Sequence, residues 1–392
     1  MRSIYLDNAA TTALSPAAKQ AMLPYFDGIF GNPSSLHTWG QQASAALQDA
    51  RERIALCLGA DPKEITFTSG GSEADNQAIF SAAMAGAARG KQHIVSSAIE
   101  HHAVLYYLAS LQTQGFDVTI LPVEPGTGLV RPADVAAALR EDTCLVTIMF
   151  ANNEIGTIQP IAEIGALCRQ RKIPFHTDAV QAVGHVPIDV RALRADYLSL
   201  AGHKFHGPKG VGALYCRKGM PLRSLLLGGA QERGHRAGTE NLPAIMGMAS
   251  ALEESLALLG QTDAVMVPLR DRLIARLRDI PRARLNGHPT LRLPNNVNFC
   301  FEGVEGEALL LLLDAQGIAA SSGSACTSGS LDPSHVLLAL GLPHEIAHGS
   351  LRLTLSRYIT EADIDYTAEA ILQVVERLRA MSPVWERITA DR

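Results

Sequence analysis

Three short stretches carry residue types that could do chemistry together, and each follows a run typical of a buried strand. "SLAGHKFHGPKG" holds Lys204 among histidines, glycines and a proline. A lysine held out of water loses its proton more easily and becomes a nucleophilic amine, whereas a solvated lysine is only a surface charge. "PFHTDAVQAVG" leaves Asp178 at a strand end, and "TFTSGGSEADN" leads through glycines into a helix that opens with Ser72. The stretches offer an amine, a carboxylate and a helix start.

Each stretch also has a plain structural explanation. A glycine turn into a helix is typical of a capped helix start, although its free N–H groups also suit a phosphate. Asp178 could form a helix cap or a structural ion pair, since a buried acid is costly without a cation. His203 and His206 could hold a metal, but the sequence offers no third ligand. Taken singly, no stretch decides between structure and function.

The elements that must position these residues are strands and helices in alternation. The strand-like runs are "ITFTS", "HIVSS", "DVTILPV", "CLVTIMFA", "IPFHTDA", "DYLSLAG" and "GVGALYC". Most are separated by helix-length segments such as Glu73–Ala88 and Ile161–Arg171. The alternation predicts an α/β fold with a mainly parallel, seven-stranded sheet and helices on both faces. Sites on such sheets gather at the carboxyl ends of strands, so the amine, the carboxylate and the glycine turn should converge.

The pattern changes after two long helical stretches, roughly Leu242–Leu259 and Ala264–Arg278. The elements predicted beyond them are the strands "NNVNFCFEG" and "SLRLTLS" and the helices Gly306–Ala315 and Glu361–Met381. We therefore predict a large α/β domain over residues 13–259 and a smaller α+β domain formed by residues 1–12 and 260–392.

Composition excludes several classes of protein. The 392 residues are 47% hydrophobic and 19% charged, with a formal net charge of −5. A mildly acidic surface attracts neither nucleic acid nor an anionic membrane, so we expect neither partner. The starting segment "MRSIYLDNAATT" lacks the apolar core of a signal peptide, and no apolar run is long enough to span a bilayer. We expect a cytoplasmic protein.

The six cysteines are scattered and form no C-x-x-C motif, which favours a reducing compartment over a disulfide framework. Cys144, Cys168, Cys216 and Cys300 lie in apolar or regular segments and are predicted core residues. Cys326 differs, because "SSGSACTSGS" is small, polar and without periodicity, which predicts a flexible loop. An exposed thiol there is either incidental or a nucleophile that can attack a group and carry it away.

One cofactor needs an amine, a carboxylate and phosphate donors at once, and that cofactor is pyridoxal phosphate. Its aldehyde forms a Schiff base with a lysine, its ring nitrogen needs a carboxylate to stay protonated, and its phosphate needs N–H donors. The protonated ring then accepts electrons from a carbanion at the substrate's Cα. The convergence of the three stretches therefore predicts a pyridoxal-phosphate site.

With these motifs assembled, the sequence resembles the cysteine desulfurases of the class V aminotransferase group, which are fold-type I pyridoxal-phosphate enzymes. The resemblance runs from "YLDNAATT" to "RLTLSRYITEADID", and within the family it is strongest to the nitrogen-fixation and housekeeping iron–sulfur-cluster types. The motifs that carry it are "GNPSS", "SGGSEADN", "EHHAV", "NNEIG", "HTDAVQ", "GHKFHGPKG", "RAGTEN" and "SSGSACTSG".

The resemblance implies a cofactor role for many of these residues. It assigns the Schiff base to Lys204, the ring nitrogen to Asp178, the phenolic oxygen to Gln181, and the phosphate to Gly71, Ser72 and His203. Thr239 would reach the phosphate bound by the other subunit of a homodimer. His101 would stack on the ring and move protons.

It also implies a substrate and a path for sulfur. Asn153, which also belongs to the cofactor site, and Arg352 would bind the carboxylate of L-cysteine, although Arg352 and Arg357 could instead be surface arginines on an edge strand. Arg352 suits the role because its planar fork matches a carboxylate. Cys326 would take the sulfur as a persulfide, leaving L-alanine, and pass it to an acceptor or scaffold protein.

One position departs from the family pattern, and two rival functions stay open. Many relatives have a serine where this chain has Ala201, so one hydroxyl donor to the phosphate is missing. A selenocysteine lyase or another class V lyase or aminotransferase is the nearest alternative, but a plain aminotransferase has no use for Cys326. A non-enzymatic scaffold could lose Lys204, Asp178 or Cys326 freely, yet all three are present.

Overall fold

The structure is a computed structural model that describes residues 2–322, 333–383 and 385–386. In this part of the chain the strands are, in order, β1 (Ile4–Tyr5), β2 (Ile65–Thr68), β3 (His93–Ser97), β4 (Asp117–Leu121), β5 (Thr143–Thr147), β6 (Phe175–Asp178), β7 (Tyr197–Ala201), β8 (Gly212–Cys216), β9 (Ala283–Leu285), β10 (Asn296–Phe301), β11 (Ile318–Ala319) and β12 (Ser350–Thr354).

The helices in the same residues are α1 (Pro16–Met22), α2 (Pro24–Asp27), α3 (Thr38–Leu58), α4 (Gly71–Ala87), α5 (His102–Gln112), α6 (Pro132–Ala138), α7 (Ile161–Arg171), α8 (Leu242–Ala257), α9 (Leu259–Arg278), α10 (Gly306–Asp314), α11 (His335–Ala339), α12 (His344–Ala347) and α13 (Glu361–Ala380). None of these described helices alone has the length and apolarity to cross a membrane. By length and composition only, α8 and α9 pass when joined, across a bend of 69°.

β2 to β8 form one seven-stranded sheet in the order β2-β8-β7-β6-β5-β3-β4. Neighbouring strands from β4 to β7 pair in parallel, and β8 runs antiparallel between β7 and β2. These are the seven strand-like runs of the sequence, and the predicted α/β fold class with a mainly parallel sheet is confirmed. The carboxyl ends of β2, β3, β5, β6 and β7 therefore lie along one edge.

Both faces of this sheet are buried, which is why its strands are nearly continuous apolar runs. Successive side chains face opposite sides, so Ile94 and Val95 on β3 enter different cores, as do Tyr197 and Leu198 on β7. α4 and α5 cover one face, whereas α3, α7 and α8 cover the other. The four cysteines that the sequence places in the core are buried, which confirms that prediction.

A separate core lies around the three-stranded antiparallel sheet β12-β10-β9. It is built by α9, α10 and α13 and includes Ile4 and Leu6, because β1 pairs with β11. α11 behaves differently, since Val336 and Leu337 pack in the core of the large sheet. The division into residues 13–259 and the rest stays a prediction, which the separate core supports.

Candidate active site

A cavity of about 330 Å³ opens at the carboxyl edge of the seven-stranded sheet. The predicted site residues that line it are Gly71, Ser72, His101, Asn153, Asp178, Gln181, His203, Lys204 and Arg352. Thr239 is exposed and does not line it. Cys326 lies outside the described residues. Residues from six separate parts of the sequence thus meet in one cavity.

Lys204 ends the tight turn Gly202–Lys204 that follows β7. Its Nζ donates hydrogen bonds to the carbonyl oxygens of Ala9, at 2.6 Å, and Ala10, at 2.8 Å. The turn itself is fixed from the same side, because the hydroxyl of Thr12 donates to the carbonyl of His203 at 2.9 Å. The starting segment of the chain thereby forms one wall of the cavity and directs the amine into it.

Asp178 is the last residue of β6 and is only 6% exposed. One carboxylate oxygen accepts a hydrogen bond from the N–H of Val180 at 2.9 Å. Burial raises the pKa of Asp178 to about 6, and the Val180 N–H and the Lys204 charge oppose that rise. Gln181 is held nearby, since its side-chain amide donates to the carbonyl of Ala9 at 2.9 Å. A cationic partner in the cavity would favour the ionised carboxylate.

The start of α4 supplies N–H groups to the cavity at Gly71 and Ser72, which have no acceptor inside the helix. A Cβ at position 71 would come within 2.6 Å of a methyl group of Val180, so glycine is required by this close approach. Glu73 sits in the same first turn and would repel an anion. Its carboxylate instead pairs with Arg236 at 2.9 Å and accepts from the N–H of Ser69 at 2.8 Å.

The pair with Arg236 also affects the ionisation of the Glu73 carboxyl. Burial alone would raise the pKa of Glu73, but the hydrogen bonds from Arg236 and Ser69 outweigh burial and lower it. The negative charge of Glu73 is therefore present and neutralised by the guanidinium. The partial positive charge of the helix start is left available to an anion.

His101 caps α5, with its Nδ1 accepting a hydrogen bond from the N–H of Ala103 at 3.1 Å. Nδ1 is therefore unprotonated, and the ring proton is on Nε2. Burial lowers the pKa of His101 to about 4, and the charges of Lys204 and His102 act in the same direction. The ring is neutral at pH 7 and half-buried.

Arg352 lies on β12 and is only 3% exposed. Its guanidinium makes an ion pair with Asp7 at 2.7 Å and donates from Nη1 to the carbonyl of Asn153 at 3.3 Å. Among the described residues its Nε has no acceptor, although this atom is buried. The alternative of a surface arginine on an edge strand is therefore wrong for Arg352. Arg352 lines the cavity, so a carboxylate bound there would find a guanidinium whose planar fork matches it.

Sequence reasoning missed the polar residues beneath the cavity. The imidazole of His176 lies between the hydroxyls of Thr147, at 2.8 Å, and Ser199, at 3.0 Å, and its Nε2 is 3.6 Å from Asp75. Burial lowers the pKa of His176 to about 3, so the ring is neutral. His176 stands two residues before Asp178 in "HTDAVQ", and that spacing on one strand face was the available signal.

Two buried acids flank the same site. Burial raises the pKa of Asp75, which lines the cavity, and the charge of Asp178 raises it further. Burial also raises the pKa of Glu100 to about 8, although hydrogen bonds from Ser97 and from the N–H of Met149 oppose the rise. Burial therefore favours the protonated form of both carboxyls, whereas a cation bound beside Asp178 would favour its ionised form.

A second cavity of about 330 Å³ opens at the opposite, amino edge of the sheet. The charged side chains that line it are Arg89, Lys91, Arg169, Lys172, Arg217 and Asp196. Arg89, Lys91 and Lys172 follow the ends of α4 and α7, and Arg169 lies in the last turn of α7, where positive charge is favourable. No group of three or more His, Cys, Asp or Glu side chains within the described ranges is placed to hold a metal ion.

Comparison with known proteins places the chain among relatives of similar length. A family model described as aminotransferase class V matches residues 4–367. A protein named cysteine desulfurase IscS from Methanosarcina thermophila is 56% identical over 383 residues, covering 98% of this chain and 94% of the relative. A solved NifS-like protein is 37% identical with a TM-score of 0.90, over 96% of this chain and 100% of its own. A structure described as SspA in complex with cysteine is 38% identical with a TM-score of 0.80, over 91% of this chain and 100% of its own.

Proposed function

Because the chain belongs to the aminotransferase class V family, we propose that it is a cysteine desulfurase that uses pyridoxal phosphate to remove the sulfur of L-cysteine. The family that the sequence motifs predict is thereby confirmed. The observation that carries the function is the meeting of Lys204, Asp178 and the buried Arg352 in one cavity. The name of the 56% identical relative and the cysteine complex of the 38% identical neighbour point to the same substrate.

The donors of the cavity fit pyridoxal phosphate. Asp178 is a buried carboxylate that a protonated ring nitrogen would satisfy, and Gln181 lies three residues further on the same wall. The N–H groups of Gly71 and Ser72 and the ring of His203 form a polar end suited to the phosphate. Lys204 would hold the aldehyde carbon. Bound in this way, the cofactor supplies an electron sink for the substrate's Cα.

Proton movement falls to two groups of this chain. The Nζ of Lys204, which lines the cavity, would act as the general base that takes the proton from the substrate's Cα. His101 is the second group, because its neutral ring carries a proton at Nε2 while Nδ1 is occupied by the N–H of Ala103. His203 is neutral as well, since burial lowers its pKa to about 4, with the Lys204 and Lys209 charges adding to the effect.

The substrate is oriented by its carboxylate. Arg352 lines the cavity, and Asp7 and the carbonyl of Asn153 hold its guanidinium in place. A carboxylate bound there would place the amino acid between Arg352 and Lys204. The side chain of Asn153 lines the same cavity and would contribute a further hydrogen bond to the substrate or the cofactor.

The sulfur leaves through Cys326. Its thiolate attacks the substrate sulfur, so that a sulfur–sulfur bond forms while the carbon–sulfur bond breaks. The electron pair of the broken bond stays with the carbon fragment, which takes up a proton and departs as L-alanine. L-cysteine and the thiol thus become L-alanine and a persulfide, with all atoms accounted for. A second thiol, on an acceptor or scaffold protein, then takes the outer sulfur.

The assembly we propose is a cytoplasmic homodimer. Thr239 is exposed and outside the cavity of its own chain, which suits contact with the phosphate bound by the partner. Its loop is tied to α4, because Gln77 donates to the carbonyl of His235 at 2.7 Å and Arg236 pairs with Glu73. The loop and the phosphate end of the cavity would thus be fixed to each other.

The test of this function measures alanine and sulfide together from L-cysteine in the presence of pyridoxal phosphate and a reducing thiol. We expect equal amounts of the two products. Cys326→Ser should still bind L-cysteine, seen as a change in cofactor absorbance, but release no sulfide. Cys57→Ser, at a half-buried thiol, is the control and should match the unchanged protein. Normal sulfide release by Cys326→Ser would exclude Cys326 as the acceptor.

A further inference from the structure

Segment 323–332 contains Cys326, and the residues on either side of it are hydrogen-bonded to the neighbourhood of the proposed substrate site. On its amino-terminal side, the N–H of Ser321 donates to the carbonyl of Arg352 at 3.2 Å. In return, the N–H of Arg352 donates to the carbonyl of Ser321 at 2.6 Å. Ser321, which precedes the segment, is therefore paired with Arg352, the residue that would bind the substrate carboxylate.

The carboxyl-terminal side makes two further contacts through side chains. The hydroxyl of Ser334 donates to a carboxylate oxygen of Glu154 at 2.5 Å, and both residues are 5% exposed. The ring Nε2 of His335 lies 3.0 Å from the carbonyl of Glu100, which requires its proton on Nε2. Glu154 is adjacent to Asn153, and Glu100 is adjacent to His101. Ser334 and His335, which follow the segment, thus contact the residues next to Asn153 and His101.

The side chain of Glu154 is not required to form its own turn. The side-chain oxygen of Asn152 accepts from the N–H groups of Glu154 and Ile155, at 2.9 and 3.0 Å. On the other side, the carbonyl of Glu154 accepts from the amides of Asn296 and Asn298, at 3.0 and 3.1 Å. A Cβ at Gly156 would come within 2.6 Å of Asn296, so this packing also fixes the turn at its end.

The contact is also not required to bury α11. Val336, Leu337 and Leu340 already pack in the core of the large sheet. A buried carboxyl group costs free energy, and here burial raises the pKa of Glu154 to about 7, with the Ser334 hydroxyl and the Arg352 charge opposing the rise. The hydrogen bonds of the turn and the packing of α11 thus do not use the Glu154 carboxyl, which instead accepts from Ser334.

We propose that Glu154 and His335 are positioning residues for sulfur transfer, because their contacts fix Ser334 and His335, which follow segment 323–332, to the turn of Asn153 and to the residue before His101. The inference rests on the proposed function, since it concerns the thiol of Cys326. A fixed exit point limits where a tethered thiol can reach. A misplacement of about 1 Å can slow a reaction by roughly a hundredfold.

The experiment compares two steps in the pyridoxal-phosphate-loaded enzyme. The first is L-cysteine binding, measured as an absorbance titration in the Cys326→Ser background. The second is single-turnover persulfide formation, measured by trapping with an alkylating reagent and mass spectrometry. Glu154→Ala and His335→Ala should each slow persulfide formation roughly ten- to hundredfold, while the Kd of L-cysteine changes by no more than about twofold.

Two controls separate positioning from simple destabilisation. His335→Gln keeps an N–H donor and should recover part of the lost rate. Thr360→Ala removes the cap of α13, where the hydroxyl accepts from the N–H of Asp363 at 3.2 Å, and should leave the rate unchanged. If Glu154→Ala fails to fold, the comparison of His335→Ala with His335→Gln tests the proposal.

The inference is overturned if both alanine variants form persulfide at the normal rate, or if their Kd for L-cysteine rises in step with the loss of rate. An equal loss of rate in Thr360→Ala would also overturn it. The proposed function fails in a different way, which is the absence of a persulfide on Cys326 in the unchanged protein.

Discussion

The two edges of the seven-stranded sheet carry cavities of similar volume, about 330 Å³ each, which differ in how their charged groups are buried and paired. At the carboxyl edge, Asp178 and Arg352 are nearly inaccessible to solvent, and the histidines of the site are neutral at pH 7. At the amino edge the charges are mostly exposed arginines and lysines, and the buried Asp196 is already paired with Arg217 at 2.6 Å.

The comparison indicates that a cavity of this volume lined by charged residues is not by itself a ligand-binding site on this fold. At the amino edge Asp196 has its cation, and the exposed cations face water and helix ends. At the carboxyl edge the Nε of Arg352 is buried without an acceptor in the described part of the chain, and burial raises the pKa of Asp178 to about 6. A buried carboxylate is costly without a cation, and a cationic group of a ligand beside Asp178 would offset that cost.

The largest expected effect comes from removing the amine at the carboxyl edge. Lys204→Ala should lower alanine and sulfide production at least about a thousandfold, because it removes both the covalent attachment and the general base. Borohydride treatment followed by peptide mass analysis should fix pyridoxal phosphate to the unchanged protein and not to this variant.

Lys209→Ala is the matched control for that experiment. Lys209 lies in the same "GHKFHGPKG" stretch but is exposed and does not line the cavity. It should keep normal activity and normal borohydride labelling. Covalent cofactor recovered from Lys204→Ala, on any other residue at wild-type yield, would overturn the assignment of the amine.

The fold was predictable over the large sheet because both of its faces are buried. The seven apolar runs from Ile65 to Cys216 match β2 to β8, and the helix predicted over Ile161–Arg171 has those bounds. α9 begins at Leu259 rather than at the predicted Ala264. β1, β9 and β11 are too short to show a period, and partners distant in sequence create them.

The site was predictable only where a strand end carries a reactive side chain. Lys204 and Asp178 follow apolar runs, so their convergence follows from the topology of a parallel sheet. Burial of a polar residue is not visible in a sequence, because it depends on what packs above it. For that reason Glu100 and His176 were missed, and Arg352 could not be told from a surface arginine.

The next largest effect should come from the substrate end of the same cavity. Arg352→Lys keeps the charge but loses the planar fork, so the KM for L-cysteine should rise roughly ten- to hundredfold. Arg272→Lys is the control, since Arg272 makes a two-bond pair with Asp365 on the surface, at 2.8 Å for each bond. Unchanged KM in Arg352→Lys would mean that the guanidinium serves only its pair with Asp7.

A change at the amino edge should affect stability and leave catalysis alone. Asp196→Asn weakens the pairs with Arg217 and Arg169, so the free energy of unfolding should fall by about 1–3 kcal/mol. Solvent screening of the two partly exposed arginines keeps this below the cost of breaking a fully buried pair. Urea unfolding measures the loss, and kcat of the folded enzyme should not change. A lower kcat with normal stability would mean that the two edges are coupled.

The smallest expected effect concerns Ala201, where the chain departs from its family pattern. Ala201 is 1% exposed and lines the cavity, and its Cβ is 3.7 Å from the position that a Cβ on Gly71 would occupy. A hydroxyl added there lies beside the start of α4, so Ala201→Ser should tighten pyridoxal phosphate binding about two- to tenfold, the effect of one hydrogen bond. Ala201→Cys has a similar size but a weak donor and should change the Kd little. If Ala201→Ser binds pyridoxal phosphate no more tightly, then Gly71, Ser72 and His203 already supply the hydrogen bonds that the phosphate needs, and the added hydroxyl contributes none.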